Sequence, residues 1–305
     1  MNIGIAASIG GLKPVAVVGL IKALEDRGLR DNIVAYSASS GGTPWCALAA
    51  AGGTGDQLWE DALSIDSKSV YEDWVYGSVL TSIWRSITRK KIGAGFTGLM
   101  AGNRFREWMY KHIERYTNNR FATFEDLPTP LYITAFDINE ARGCLFGPYI
   151  TASQVEVVKA VRGSSAIPGG FRHETFAIAP PPEPMHGFWD GGVVACLPIM
   201  PLLELADPKP DIILALDATG ATSMGGRKWI SIDKLGTLDF IESMVTALVD
   251  EANHLQLDYV KSSGIPLHVM DVSVSASMAD PGGTIPAALE ASYIDANKFL
   301  NEVFG

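Results

Sequence analysis

Two strand-turn-helix units stand back to back at the start of the chain, and they narrow the fold more than any other feature. The apolar run Ile3-Gly4-Ile5-Ala6-Ala7 passes through Ser8-Ile9-Gly10-Gly11-Leu12-Lys13-Pro14 into a helix predicted over Val15 to Asp26 and stopped by Gly28. Val17, Leu20 and Leu24 fall on one apolar face of that helix, while Lys22, Glu25 and Asp26 point outward. A second buried-strand pattern, Asn32 to Tyr36, leads through a serine-glycine turn into a small-residue helix between Gly41 and Gly52. Consecutive βα units of this kind need a parallel sheet with right-handed crossovers.

The rest of the chain extends that plan. Residues from Asp56 to about Arg120 read as a helical insertion over the sheet, rich in large aromatics such as Trp59, Trp74, Trp84 and Trp108. A strand is expected over Leu131–Asp137, with a hairpin-like return from Gly143 to Phe146 and a helix from Ser153 to Arg162. Further on come a strand at Asp211–Asp217, a helix across Leu238–Lys261, a strand near Leu267–Val274 and a terminal helix from Ala287 to Val303. With 305 residues, 47% of them hydrophobic, and no internal repeat or low-complexity linker, one domain over 1–305 with an insertion at about 56–120 is the expected organisation.

Composition excludes some functions. A net charge of −10, from 24 basic and 34 acidic residues, argues against a nucleic-acid partner. Cys46, Cys144 and Cys196 are odd in number, far apart and in apolar settings, so they are expected to be reduced core residues and not zinc ligands. Met1 runs straight into the first strand without a basic region or cleavable apolar segment, and no run is long enough to span a bilayer. A cytoplasmic protein with at most peripheral membrane contact is expected.

Three short motifs carry chemistry. The strand, turn and helix around Ser39 have the form of a nucleophile elbow, where a tight turn holds a hydroxyl above a helix N-terminus. Ser37-Ala38-Ser39-Ser40-Gly41 reads as GxSxG with serine in place of the first glycine, which makes Ser39 the candidate nucleophile. Gly10-Gly11 with Lys13 can turn backbone N–H groups toward an anion, where an acyl-transfer enzyme would build its oxyanion hole. Neither GxGxxG nor GxxxxGK[ST] is present, so a nucleotide loop is set aside. Asp190-Gly191-Gly192 puts a carboxylate on a glycine turn, where it can act as general base toward a serine. Each string alone also fits a plain turn.

Taken together, and in this order, the motifs resemble those of the patatin-like phospholipase family. Ser8–Pro14 continuing into Gly19–Leu24 is similar to the family's glycine-rich loop and first helix, and Ser37–Gly41 to its elbow. Ala160–Pro168 is similar to the segment ahead of the dyad aspartate, and Asp190-Gly191-Gly192 with Pro198 to its DG[GA] block. The resemblance implies a three-layer α/β/α fold with a mainly parallel sheet, and a lipid acyl hydrolase of the phospholipase A or lysophospholipase type. It implies a Ser39–Asp190 dyad, oxyanion donors at Gly10 and Gly11 with Lys13 at the basic position, an acyl-enzyme intermediate, and no metal or cofactor. Ile9, Pro14 and Ser37 depart from the pattern, and they motivate the alternative of a lipid-binding protein with weak or no turnover.

A Ser-Asp-His triad is the other alternative, with His254 or His268 as the late histidine. His268 lies in an apolar strand pattern and His254 in mid-helix, and His112, His173 and His186 are assigned no role. In the insertion, Arg85, Arg89, Lys90, Lys91, Arg104, Arg106, Lys111 and Arg115 interleave with aromatics, a pattern suited to anionic lipid headgroups. Glycines between Gly93 and Gly98 would make this 85–115 region a lid; an amphipathic helix packed on the sheet with a solvated basic face is the competing reading.

Overall fold

The computed structural model describes residues 1–65, 98–150, 152–180, 182–219, 256–276 and 281–305. In chain order the elements are β1 (Ile3–Ala7), α1 (Ala16–Asp26), β2 (Ile33–Ser39), α2 (Thr43–Ala50), α3 (Gly55–Leu63), β3 (Gly98–Met100) and α4 (Asn103–Thr117). There follow β4 (Leu131–Asp137), β5 (Arg142–Phe146), α5 (Val157–Ser164), β6 (Gly169–Phe171), β7 (Glu174–Phe176) and β8 (His186–Trp189). The last are α6 (Met200–Glu204), β9 (Ile212–Asp217), β10 (Leu267–Asp271) and α7 (Pro281–Phe304).

Eight of the ten described strands form one sheet in the order β10-β9-β1-β2-β4-β8-β7, with β5 paired to β4, and β3 pairs with β6 in a separate two-stranded sheet. From β10 through to β4 every pairing is parallel, as the repeated βα units require. Beyond β4 the pairings with β5 and β8 are antiparallel, and β8 to β7 likewise. Both sheet faces are covered. Ile5, Tyr36 and Leu214 look into the core shared with α1, α2 and α7, while Ala6, Ala35 and Ile213 look into a second core with Leu202 of α6. Strands buried on both faces read as unbroken apolar runs, which is why β1, β4 and β9 are legible in the sequence. The result is the expected three-layer arrangement.

Some boundaries differ from expectation, and one matters for the site. β2 continues past Tyr36 to Ser39, because Ser37, Ala38 and Ser39 pair with Tyr132, Ile133 and Thr134 of β4. α5 begins at Val157, not Ser153, since Glu156 is extended and bridges Thr123. α7 starts at Pro281, ahead of the expected Ala287. Within the expected insertion, α3 and α4 are helical and Gly98–Met100 is a strand, whereas residues 66–97 lie outside the described residues. The same holds for most of the helix expected across Leu238–Lys261, of which 256–261 are helical. No helix among the described residues is long and apolar enough to cross a membrane.

Candidate active site

β2 ends on Ser39 in extended conformation (φ −133°, ψ 145°), and the chain then reverses at Ser40 with φ +47°. A positive φ is costly for a residue with a side chain, and it is the strained turn that an elbow needs to lift a hydroxyl off the backbone. The turn is held from three sides. The Ser40 amide donates to Ser164 Oγ at 2.9 Å, and the Ser40 carbonyl accepts from Thr43 Oγ1 at 2.6 Å and Ser165 Oγ at 3.2 Å. Close packing explains the glycines beside it. A Cβ on Gly41 would stand 2.0 Å from Gly11 O, and one on Gly42 would stand 2.8 Å from Ala7 Cβ and 2.9 Å from Ser8 O.

Ser40 Oγ donates to Asp190 Oδ2 at 2.6 Å. Asp190 follows the end of β8, and its other oxygen accepts from the Gly192 amide at 2.7 Å. Gly191 must be glycine, because a Cβ there would meet Thr134 O at 2.1 Å. Asp190 is buried, and no Lys, Arg or His among the described residues pairs with it. Burial pushes its carboxyl up to about 6, while the bonds from Ser40 and Gly192 pull the other way. A carboxylate poised there can take a proton near neutral pH.

The serine expected in this role was Ser39, whereas the hydroxyl that reaches Asp190 is that of the next residue, Ser40. Ser39 is the last residue of β2, fully buried, with its hydroxyl beside Gly191 and no hydrogen-bond partner. A register of Ala38-Ser39-Ser40-Gly41-Gly42, with alanine in place of the first glycine, would put Ser40 at the serine position. Both registers satisfy a small-x-Ser-x-Gly pattern. β2 runs three residues beyond Tyr36, an extent that pairing with β4 sets and local sequence does not. Alanine at the first position, smaller than Ser37, was the available signal.

Gly10 and Gly11 adopt φ of +145° and +62°, conformations that favour glycine, and their amides donate to no described residue. Gly11 lines the same pocket as Ser40 and Gly41, a small space open to solvent. Its further walls are aromatic, from Trp45, Phe105, Trp108 and Phe171. Lys13 is not brought to this pocket: its side chain is exposed, and its amide closes the turn by donating to Gly10 O at 3.1 Å. Two departures from the family pattern also find their place. Pro14 sits in the first turn of a 3₁₀ segment, Lys13–Val15, where an N–H has no helical partner to lose. Ile9 packs over the Asp190 turn, its Cγ2 2.9 Å from where a Gly192 Cβ would stand.

Other candidates fall away from the site. His268 lies on β10, three strands from β2, and His254 lies outside the described residues. Sequence reading missed Ser164 and Ser165 as supports of the elbow, although the segment carrying them was singled out. It also missed a cluster at the start of β8, where His186 Nδ1 lies 2.7 Å from the buried Asp137 Oδ2 and Nε2 lies 3.3 Å from Glu183, with Glu140 nearby. Glu140 is itself paired with Arg142. Cys46, Cys144 and Cys196 form no disulfide, and burial pushes the Cys144 thiol up to about 11.

Of the cationic 85–115 stretch, residues 85–97 lie outside the described residues, including the glycines expected to hinge a lid up to Gly95. In α4, Phe105, Trp108, Met109 and Tyr110 are buried in the core. Arg106 pairs with Glu174, and Arg115 with Asp61 and Glu60. This part of the stretch is an amphipathic helix packed on the body, with no exposed aromatic face to meet lipid.

The Patatin-like phospholipase model matches residues 10–203, well over half of the chain. The chain belongs to the patatin-like phospholipase family. Among solved structures, VipD from Legionella pneumophila is similar at 15% identity and a TM-score of 0.50, over 99% of this chain and 67% of VipD. The type III effector ExoU of Pseudomonas aeruginosa gives 13% identity and a TM-score of 0.45, over 98% of this chain and 52% of its own. The chain thus spans about two thirds of the one and half of the other. No curated protein matches it in sequence. At this identity the likeness to VipD speaks for the fold, and family membership supports a lipid ester hydrolase.

Proposed function

We propose that this patatin-like chain is a serine acyl hydrolase of lipid esters that works through a Ser40–Asp190 dyad. The observation that carries the reading is the 2.6 Å hydrogen bond from the Ser40 hydroxyl, held at positive φ, to a buried carboxylate with no cation beside it among the described residues. Asp190 takes the Ser40 proton as Oγ attacks the ester carbonyl. The Gly10 and Gly11 amides receive the negative charge that develops on the carbonyl oxygen; one such donor is typically worth about 2.7–4 kcal/mol in the transition state. Protonated Asp190 then gives its proton to the departing alcohol, leaving Ser40 acylated. In the second half, Asp190 removes a proton from water, which attacks the acyl-enzyme and frees the acid. The apolar pocket beside Ser40 and Gly11 suits an acyl chain, and nothing in the dyad requires a metal.

The test is steady-state hydrolysis of p-nitrophenyl esters by the wild type, Ser39→Ala, Ser40→Ala and Asp190→Asn. Ser40→Ala and Asp190→Asn are expected to lose about 10³-fold or more in kcat, and Ser39→Ala to stay within a few-fold of wild type. Activity surviving in Ser40→Ala but not in Ser39→Ala would restore the other register. A folded wild type with no turnover would favour the lipid-binding alternative.

A further inference from the structure

We propose that Trp108 is a fixed stop that sets the longest acyl chain the pocket accepts. This deepens the hydrolase reading and rests on it. The pocket leaves Ser40 along α2: Pro44 and then Trp45 line it, and Trp45 stands roughly 8 Å along the chain axis from Ser40 at helical rises per residue. Beyond Trp45 comes Trp108, whose ring meets it edge-on with centroids 6.1 Å apart. Ile65 and Phe105 line the same pocket, so its described walls beyond the elbow are apolar and largely aromatic.

Trp108 also borders a second space. An open surface groove is lined by Asn103, Arg104, Glu107 and Lys111 together with Trp108. Trp108 is therefore shared between the pocket that contains Ser40 and a solvent-facing groove, both with mainly apolar walls.

The indole is braced against movement. Trp108 Nε1 donates to Ser64 Oγ at 3.3 Å, and Phe105 stacks on the ring at 6.4 Å with planes 13° apart. His112, one turn on, lies 4.3 Å from the indole, with Nδ1 2.7 Å from the Trp108 carbonyl and Nε2 3.3 Å from Asp61 Oδ1. Asp61 is buried on α3 and also accepts from Arg115 at 2.9 Å and from Tyr116. A buried carboxylate joined to three groups of α4 ties α3 to α4 behind Trp108. Swinging the ring aside would break its bond to Ser64 and uncover its stacked neighbours, which distinguishes a stop from a gate.

The consequence is a sharp upper limit on chain length that moves when the ring is cut back. The experiment compares kcat/KM on p-nitrophenyl esters from acetate to palmitate for wild type, Trp108→Ala and Trp108→Leu, with fluorophosphonate labelling of each. Trp108→Leu keeps apolar bulk in case alanine does not fold. Trp59→Ala is the control for general loosening, since that ring packs on Tyr293 and does not line the pocket. The expected result is that both Trp108 variants label normally and gain about tenfold on long esters relative to short ones, with Trp59→Ala unchanged. Variants that label but keep the wild-type chain-length profile would overturn the stop alone, as would the same shift in Trp59→Ala. A wild type that neither labels nor turns over sinks the hydrolase reading and the stop with it.

Discussion

Asp61 and Asp190 are both buried carboxylates, one tied to α4 and the other bonded to Ser40, and their surroundings differ in kind. Asp61 is met by Arg115, His112 and Tyr116, so its charge is compensated where it sits. Asp190 has one hydroxyl and one backbone amide, and its charged form is left expensive enough to move its carboxyl up to about 6. The first arrangement holds helices together; the second leaves a proton acceptor facing Ser40. Burial alone does not mark a reactive carboxylate. Burial without a cation, against a strained hydroxyl, does.

The comparison breaks most visibly if the two aspartates are neutralised in turn. Asp190→Asn keeps the size of the side chain and is expected to abolish turnover while leaving the denaturation midpoint at pH 7.5 equal or higher, because a desolvated charge has been removed. Asp61→Asn is expected to do the opposite. It removes the carboxylate charge beside Arg115 and replaces an acceptor oxygen among the buried His112 and Tyr116 by an amide, and should lower stability by roughly 2–3 kcal/mol, below the usual cost of a fully buried broken pair because Arg115 is half exposed. Urea denaturation read beside ester hydrolysis checks both, and a common loss of stability would erase the distinction.

A pH titration sharpens it. The Asp190 carboxyl titrates at about 6 when folded and near 3.8 when unfolded, so between those values the folded state holds a proton that the unfolded state has lost. Stability from this group is accordingly greatest below pH 3.8 and falls as pH rises through 6, by at most about 3 kcal/mol. Activity runs the other way, with kcat/KM rising through pH 6 as the base ionises. The difference between wild type and Asp190→Asn in urea midpoints across pH 4 to 8 isolates the first effect, and a flat difference would contradict it.

The smallest effect belongs to the elbow's support. Ser164→Ala removes the acceptor for the Ser40 amide and should cost about 1–2 kcal/mol of stability, with a fall in kcat and little change in KM. Ser164→Thr, which keeps the hydroxyl, should restore kcat if that bond positions Ser40. A kcat unaffected by Ser164→Ala would reduce the residue to packing.

Most of this architecture was legible because its signals are local. β1, β4 and β9 are apolar runs bounded by turn residues, and the DGG turn announces itself through glycines that space later explains: Gly191 against Thr134 O, Gly192 against Ile9. What escaped was set by contacts distant in sequence. Ser39 and Ser40 are chemically identical neighbours, and only the pairing of β2 with β4, together with Asp190 some 150 residues away, separates them. The aromatics of α4 looked like a lipid-facing surface because sequence shows their abundance and not which side packs; against α2 and α5 they are core. Lys13 follows a glycine pair closely enough to suggest a shared site, yet the turn it closes carries its side chain out to solvent.

The central claim, that Ser40 and not its neighbour is the nucleophile, is tested most directly by mapping the phosphonylated residue in wild-type protein. A fluorophosphonate adduct is digested and located by tandem mass spectrometry, with Ser40→Ala and Asp190→Asn run alongside. The adduct is expected on Ser40, absent in Ser40→Ala and formed far more slowly in Asp190→Asn. An adduct on Ser39, or one that forms at full rate without Asp190, would contradict the account.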